Sequence, residues 1–327
     1  MKQTNLSIFI PHVGCPHRCS FCDQRSISGA QKPPSAAEVA ELLAQQAQNL
    51  TERGISAEIA FFGGSFTAID RAYMLELLGA AKSAVERFPC YNGIRCSTRP
   101  DCIDEDAVRL LKASGMTFVE LGAQSMSDEV LAANERGHSA QDVRTAARII
   151  RESGMGLGLQ MMTGLYMDSE DAVLYTAREF IALRPDTVRI YPTVILKNTK
   201  LGELYERGEY RSFGFEQTVE LCARLLKMFG DEGIPVIRLG LHASPEVERD
   251  MLGGVYHPAL RELCESRLFL ADMQKALGGR KGSFTIYTDP RNISKAAGQK
   301  RCNIKALAAQ GCNVTIKPRE GAYIEVC

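Results

Sequence analysis

The stretch Cys15-Pro16-His17-Arg18-Cys19-Ser20-Phe21-Cys22 sets three thiols within eight residues, directly after the apolar run Leu6 to Ile10. Such a run reads as a strand that delivers the thiols onto a loop at one end of a sheet. Two metals compete for sulfurs at this spacing. An iron–sulfur cubane normally takes four thiolates, one per iron, so three leave one iron open to a small molecule. A zinc knuckle needs four ligands, and a fourth at matching spacing is missing; His12 or His17 would have to improvise. Iron–sulfur is therefore the favoured reading, with zinc as the alternative.

The chain after this loop alternates strand and helix. Strands are expected at Leu6 to Ile10, Glu58 to Phe62, Gly93 to Ser97, Phe118 to Gly122, Leu157 to Met162 and Val188 to Pro192. Amphipathic helices are expected at Ser35 to Leu50, Arg71 to Arg87, Asp104 to Ser114, Ala140 to Ser153 and Glu170 to Leu183. Ser35 with Glu38 makes a capping box, and Gly54, Gly115 and Gly154 stand where helices end. Strand and helix in regular alternation require right-handed crossovers and a parallel sheet. The expected fold is α/β, a partial (β/α)6 barrel, with its site at the C-terminal ends of the strands.

Those ends carry polar groups. After the second strand, Gly63 and Gly64 permit close backbone approach to a ligand, or simply a turn. After the third, Ser97 and Thr98 offer hydroxyls, and Arg99 carries a fixed charge suited to phosphate or carboxylate, or else a buried structural role. Gln124 follows the fourth strand, Arg136 the next helix region, and Gln160 lies in the fifth strand, able to donate and accept. Tyr191 ends the sixth strand and Lys197 follows closely; both are candidates for the substrate side, against packing and salt-bridge readings. A lone His242 or His257 is read as structural.

Three cysteines separated by three and then two residues, with aromatic Phe21 before the last, resemble the cluster motif of radical S-adenosylmethionine (SAM) enzymes. The resemblance implies that Cys15, Cys19 and Cys22 hold a [4Fe-4S] cluster, whose open iron chelates SAM and cleaves it to a 5′-deoxyadenosyl radical. It places Phe21, Gly63, Gly64, Ser65, Thr98, Gln124, Arg136 and Gln160 around the cofactor, with Gly63-Gly64 on the methionine amino group, Gln124 on the ribose and Arg136 on the carboxylate. Ser65 stands where that family commonly has Glu, and Gln160 where the porphyrin enzymes carry Asp. From Leu6 to Tyr210 the chain is similar to the radical domain of the Elongator catalytic subunit, which modifies wobble uridines of tRNA, and more distantly to anaerobic coproporphyrinogen oxidases. By that likeness Arg99, Tyr191 and Lys197 are the catalytic candidates. No Gly-rich acetyl-coenzyme A loop follows Tyr210, so acetyl-transfer chemistry is not expected.

With 39 basic and 39 acidic residues, the whole-chain charge names no partner. The tail does not share that balance. Lys281 to Glu320 holds eight basic and two acidic residues, a local charge of +6. This segment resembles a minimal KH module, whose GXXG loop clamps nucleic-acid backbone. Here Gly298-Gln299-Lys300-Arg301 puts Arg301 where the second glycine belongs, so Lys300, Arg301 and Lys305 are nucleic-acid candidates, against a basic lid over the barrel. The expected division is a barrel over 1–241, a helical connector over 242–280 and a small α+β module over 281–327. No apolar run long enough for a leader or a span is visible, and unpaired cysteines suit a reducing compartment, so a cytoplasmic protein is expected. The principal expectation is a radical enzyme acting on tRNA or other RNA, served by an electron donor such as ferredoxin or flavodoxin. Two others compete: a radical enzyme for a small molecule such as a porphyrinogen, and an RNA-binding regulator whose cluster is structural or redox.

Overall fold

The computed structural model describes residues 2–10, 15, 18–23, 32–242 and 244–326. Pro16, His12 and His17 lie outside the described residues. Seven strands form one sheet: β1 (Lys2–Ile10), β2 (Ile55–Gly63), β3 (Tyr91–Thr98), β4 (Met116–Gln124), β5 (Gly156–Thr163), β6 (Thr187–Pro192) and, beyond a short β7 (Val194–Leu196), β8 (Val236–Leu239). Their order is β1-β2-β3-β4-β5-β6-β8, and every pairing is parallel. Alternation in the sequence predicts six barrel strands and reads Ile234 to Leu241 as a further apolar strand outside them; that strand is the seventh of the sheet, pairing with β6 through Val188 and Val236. Alternation tells which face of a strand is buried but not which strand it will pair with. Strands β1 and β8 stand at opposite ends of the order and do not pair, so the sheet curls into an open partial barrel.

Side chains on successive strand residues point to opposite faces, and here the two faces differ in kind. One face is apolar: Ile59, Phe61, Ile94, Cys96, Val119, Leu121, Leu157, Leu159, Val188 and Ile190 are all buried in the main core with the outer helices. Those helices are α1 (Ala36–Glu52), α2 (Arg71–Arg87), α3 (Glu105–Ala113) and, after a short α4 (Asp128–Ala133) that adds nothing to that core, α5 (Ala140–Glu152) and α6 (Glu170–Leu183). Helix α1 starts at the expected capping box, Ser35 N–H donating to Glu38 Oε2 at 2.7 Å and Glu38 N–H to Ser35 Oγ at 3.2 Å. The other face carries Glu58, Arg95, Ser97, Glu120, Gln160, Arg189 and Tyr191, and it lines the inside of the curl.

Helices α7 (Lys200–Glu206), α8 (Phe215–Asp231) and α9 (Pro245–Asp250) follow β7 and flank β8, and β9 (Met251–Gly254) pairs antiparallel with β7 beside the mouth of the curl. Helix α10 (Leu260–Leu277) then joins two cores. Its start gives Leu260 and Cys264 to the main one, and its end gives Met273 and Leu277 to a second, with Ile286, Leu307, Cys312 and Val314. Around that second core, β10 (Gly282–Thr288), α11 (Ile293–Ala297), α12 (Cys302–Ala309), β11 (Cys312–Pro318) and β12 (Glu325–Val326) form a β-α-α-β-β unit of strand order β11-β10-β12. Among the described residues no helix is long and apolar enough to cross a membrane.

Candidate active site

A cavity of about 660 Å³ opens at the C-terminal ends of the strands. Cys15, Cys19 and Cys22 stand on its wall, brought there by the segment that leaves β1. Burial, followed by the charges of the neighbouring thiols, pushes Cys22 up to about 12, and burial raises Cys15 as well. Sulfurs so placed lose their protons only when a cation replaces them. Among the described residues no three His, Cys, Asp or Glu side chains gather closely enough to chelate one ion. A cubane needs another arrangement, because each thiolate takes its own iron and the sulfurs stand around a volume.

The cofactor candidates meet at the same cavity. Gly63 has φ +116°, and a Cβ there would lie 2.6 Å from the Ile10 carbonyl oxygen, so only glycine fits between β2 and the end of β1. Gly64 N–H donates to Ile10 O at 2.9 Å, and both glycines line the cavity. Thr98 also lines it. Ser65 sits behind it in the wall, with its Oγ 2.9 Å from Thr98 Oγ1 and accepting from Arg99 N–H at 3.3 Å. Ser65 thus orients Thr98 and Arg99 and is not among the residues lining the cavity.

Arg99 is buried and held by Asp101, with Nε and Nη2 donating to the two carboxylate oxygens at 2.9 Å each. Arg136 donates from Nη1 to Cys19 Sγ at 3.0 Å and from Nη2 to Gly122 O, with its guanidinium 5.9 Å over the Phe21 ring. Gln124 is left-handed at φ +68°. Three buried atoms on these residues have no protein partner: Arg99 Nη1, Gln124 Oε1 and Arg136 Nε. Two cationic donors and an acceptor without partners, beside three thiolates and a glycine cradle, match a zwitterionic cofactor with hydroxyls. His138, buried and hydrogen-bonded through Nε2 to Ala123 O at 3.1 Å, supports this wall from behind.

The floor is a network that no single motif announced. Glu120, 1% exposed, accepts at Oε1 from Arg95 Nη2 at 2.6 Å and Arg189 Nε at 2.8 Å. Its Oε2 accepts from Ser97 Oγ at 3.2 Å and Gln160 Nε2 at 3.1 Å. Arg95 also donates to Glu58 at 2.8 Å. With its amide nitrogen committed, Gln160 keeps its oxygen for a ligand. Tyr191 lines the cavity, and burial raises it above the usual phenol value. Lys197 is exposed and is not among the lining residues; its backbone N–H donates to Asp250 O at 2.8 Å. His242 lines the cavity, whereas His257 Nδ1 accepts from Ala259 N–H at 3.1 Å beside the start of α10. Charged residues alternating with apolar ones in mid-strand, as in Glu58, Arg95, Glu120 and Arg189, were the signal for the floor.

Outside the cavity lining, Lys300 and Arg301 are exposed with left-handed φ of 51° and 60°, and Lys305 is exposed one turn into α12. A Cβ at Gly298 would lie 2.5 Å from Cys302 Sγ, so this glycine is fixed by the turn.

A parallel half-barrel that presents three thiolates and unpartnered cofactor-binding groups to one cavity defines an iron–sulfur enzyme that works on a ligand shielded from water. Residues 9–180 match the Radical SAM superfamily and residues 185–269 the Radical_SAM C-terminal domain, so the chain belongs to the radical SAM superfamily. The cofactors of that superfamily are a [4Fe-4S] cluster and SAM, and the residues present fit both. Among relatives, an uncharacterized protein of Methanocaldococcus jannaschii is 29% identical over 225 residues, covering 66% of this chain and 69% of that one. The tRNA uridine(34) acetyltransferase of the same organism is 30% identical over 185 residues, covering 51% of this chain and 34% of that one. The chain thus spans about a third of the length of that curated relative. In fold, Methanocaldococcus infernus Elp3 with an N-terminal deletion is similar at TM-score 0.63 and 20% identity, over 85% of this chain and 64% of that chain.

Proposed function

We propose that this enzyme generates a carbon-centred radical on a nucleoside of RNA, most specifically tRNA. Cys15, Cys19 and Cys22 would hold a [4Fe-4S] cluster, which when bound would supply the electron for reductive cleavage of SAM. The chain's own residues do the rest. Gly63 and Gly64 let the backbone approach the amino group, Arg99 and Arg136 supply positive charge for the carboxylate, and Gln124 and Gln160 offer oxygens to hydroxyls. Val194, Leu196, Leu241 and Val247 form an apolar wall that keeps water from the radical. Tyr191 faces the same space as the substrate-side residue.

What supports this reading is the convergence on one cavity of three cysteines with Arg99, Gln124 and Arg136, each of which keeps a buried polar atom without a protein partner, in a chain similar to a tRNA uridine(34) acetyltransferase. The cavity admits one nucleoside, not a tRNA, so a second contact must hold the rest of the RNA. In this reading residues 281–327 form that module, joined to the barrel by 242–280. Lys300, Arg301 and Lys305 have no ion pair among the described residues, unlike Arg291 and Lys295, which pair with Asp289 and Glu265. A reductant of the ferredoxin or flavodoxin type and a cytoplasmic setting complete the proposal.

The test is anaerobic incubation of the reconstituted protein with SAM, dithionite and total tRNA, followed by nucleoside mass spectrometry. Release of 5′-deoxyadenosine with a new nucleoside mass is the expected result. No 5′-deoxyadenosine refutes the reaction, and 5′-deoxyadenosine with unchanged RNA refutes the substrate.

A further inference from the structure

Beyond the cofactor-side Arg99 and Arg136, the inner face of the sheet holds one cation more than its carboxylates neutralise. Glu58 and Glu120 are taken by Arg95 and Arg189. Arg238 on β8 lies opposite Arg189 of β6 in register, so the two side chains share a face. Arg238 is half-buried, and no carboxylate pairs with it among the described residues. Its Nε donates to Gly240 O at 2.9 Å, which draws the guanidinium toward the C-terminal end of the strand. Leu241 and His242, the next residues along, line the cavity, as do Arg189 and Tyr191. Burial, with a smaller push from the nearby Arg189 charge, holds Arg238 below the usual guanidinium value against the opposing effect of Tyr191. His242 is lowered by burial and by the same two guanidiniums. A half-buried cation with free donors and no counter-ion is a site for an anion.

We propose that Arg238, with Arg189 beside it and Tyr191 and His242 as hydrogen-bond donors, binds a phosphate of the substrate nucleotide whose base enters the cavity. The guanidinium fork matches two phosphate oxygens, and its place on the edge strand β8, next to lining residues but not itself among them, suits a group that stays outside while the nucleoside goes in. The identity of the phosphate as one of RNA rests on the function proposed above. The anion site itself does not.

The test uses the full reconstituted chain with two probes, fluorescein-labelled bulk tRNA and inorganic phosphate. Arg238→Gln is expected to weaken tRNA binding about tenfold near 0.1 M salt and to lower the slope of log K against log salt by about 1, the signature of one lost phosphate contact. Arg238→Lys should recover part of the loss, and Arg109→Gln, on the exposed face of α3, should match wild type. Phosphate, compared with chloride at equal ionic strength, should raise the melting temperature of wild type but not of Arg238→Gln. Wild-type tRNA affinity and slope in Arg238→Gln overturn the proposal, as does phosphate stabilisation that is equal in the two proteins or missing from both. If tRNA fails to bind wild type while phosphate stabilisation still depends on Arg238, the anion site stands and the RNA assignment falls.

Discussion

Replacing Glu120 by Gln tests how much of the fold rests on the polar inside of the sheet. The substitution keeps the shape of the side chain but removes the charge that faces Arg95 and Arg189, and it puts an amide N–H₂ where four donors now converge. Arg95 and Arg189 side chains are 7% and 13% exposed, so water does not replace the lost partner. Breaking a buried pair from one side costs about 3–5 kcal/mol. With an unfolding entropy of about 2.1 cal/mol/K per residue, a chain of this size should lose about 4–7 °C in melting temperature. The comparison is Glu179→Gln. Its pair with Arg144 has the same 2.6 Å separation as Arg95 with Glu120, but its side chains are 35% and 27% exposed. Water and salt screen it, so that variant should lose less than about 1 kcal/mol. Differential scanning calorimetry of both variants under anaerobic conditions is the assay. Equal shifts in the two would refute the reasoning, because bond length and not burial would then set the cost.

Three further outcomes are expected. Alanine at Cys15, Cys19 or Cys22 should abolish chelator-resistant iron and sulfide, measured on anaerobically reconstituted protein, while alanine at buried Cys96 should leave both unchanged. His138 is held down at about 4 by burial and then by Arg136, so the folded state keeps it neutral while the unfolded chain protonates near 6.5. Its contribution, about 3 kcal/mol at most, should be present above pH 6.5 and lost as pH falls toward 4; urea midpoints across that range should flatten in His138→Asn. Gly63→Ala drives a Cβ against the Ile10 carbonyl at a φ hostile to side chains, and equilibrium dialysis should find SAM binding lost along with a lowered melting temperature.

The outer layer of the fold was legible because its rules are local. Capping at Ser35 and Glu38, glycines after helix ends and apolar alternation in the strands each act within a few residues, and the elements fell within a few residues of expectation. The cysteine loop and Gly63-Gly64 were legible for a related reason, since ligand spacing and backbone freedom are written in consecutive residues. The floor was not. Glu58, Arg95, Glu120 and Arg189 come from four strands and become partners only when the sheet curls, and in one strand at a time a charge on alternate positions looks like a solvated face. Lys197 shows the converse: closeness in sequence to Tyr191 did not carry it into the cavity, because β7 turns the chain away to pair with β9. The left-handed Gln124 had no signal either, since only tertiary contacts hold a non-glycine residue there.

That last residue has a consequence for anyone who sets out to improve this protein. A left-handed Gln costs about 1–2 kcal/mol that glycine would not incur. Gln124→Gly would therefore pass a screen for thermal robustness with a better score than the parent, while deleting a buried oxygen that has no protein partner and that the proposed function gives to the cofactor. At this position, selecting for hardness selects against function.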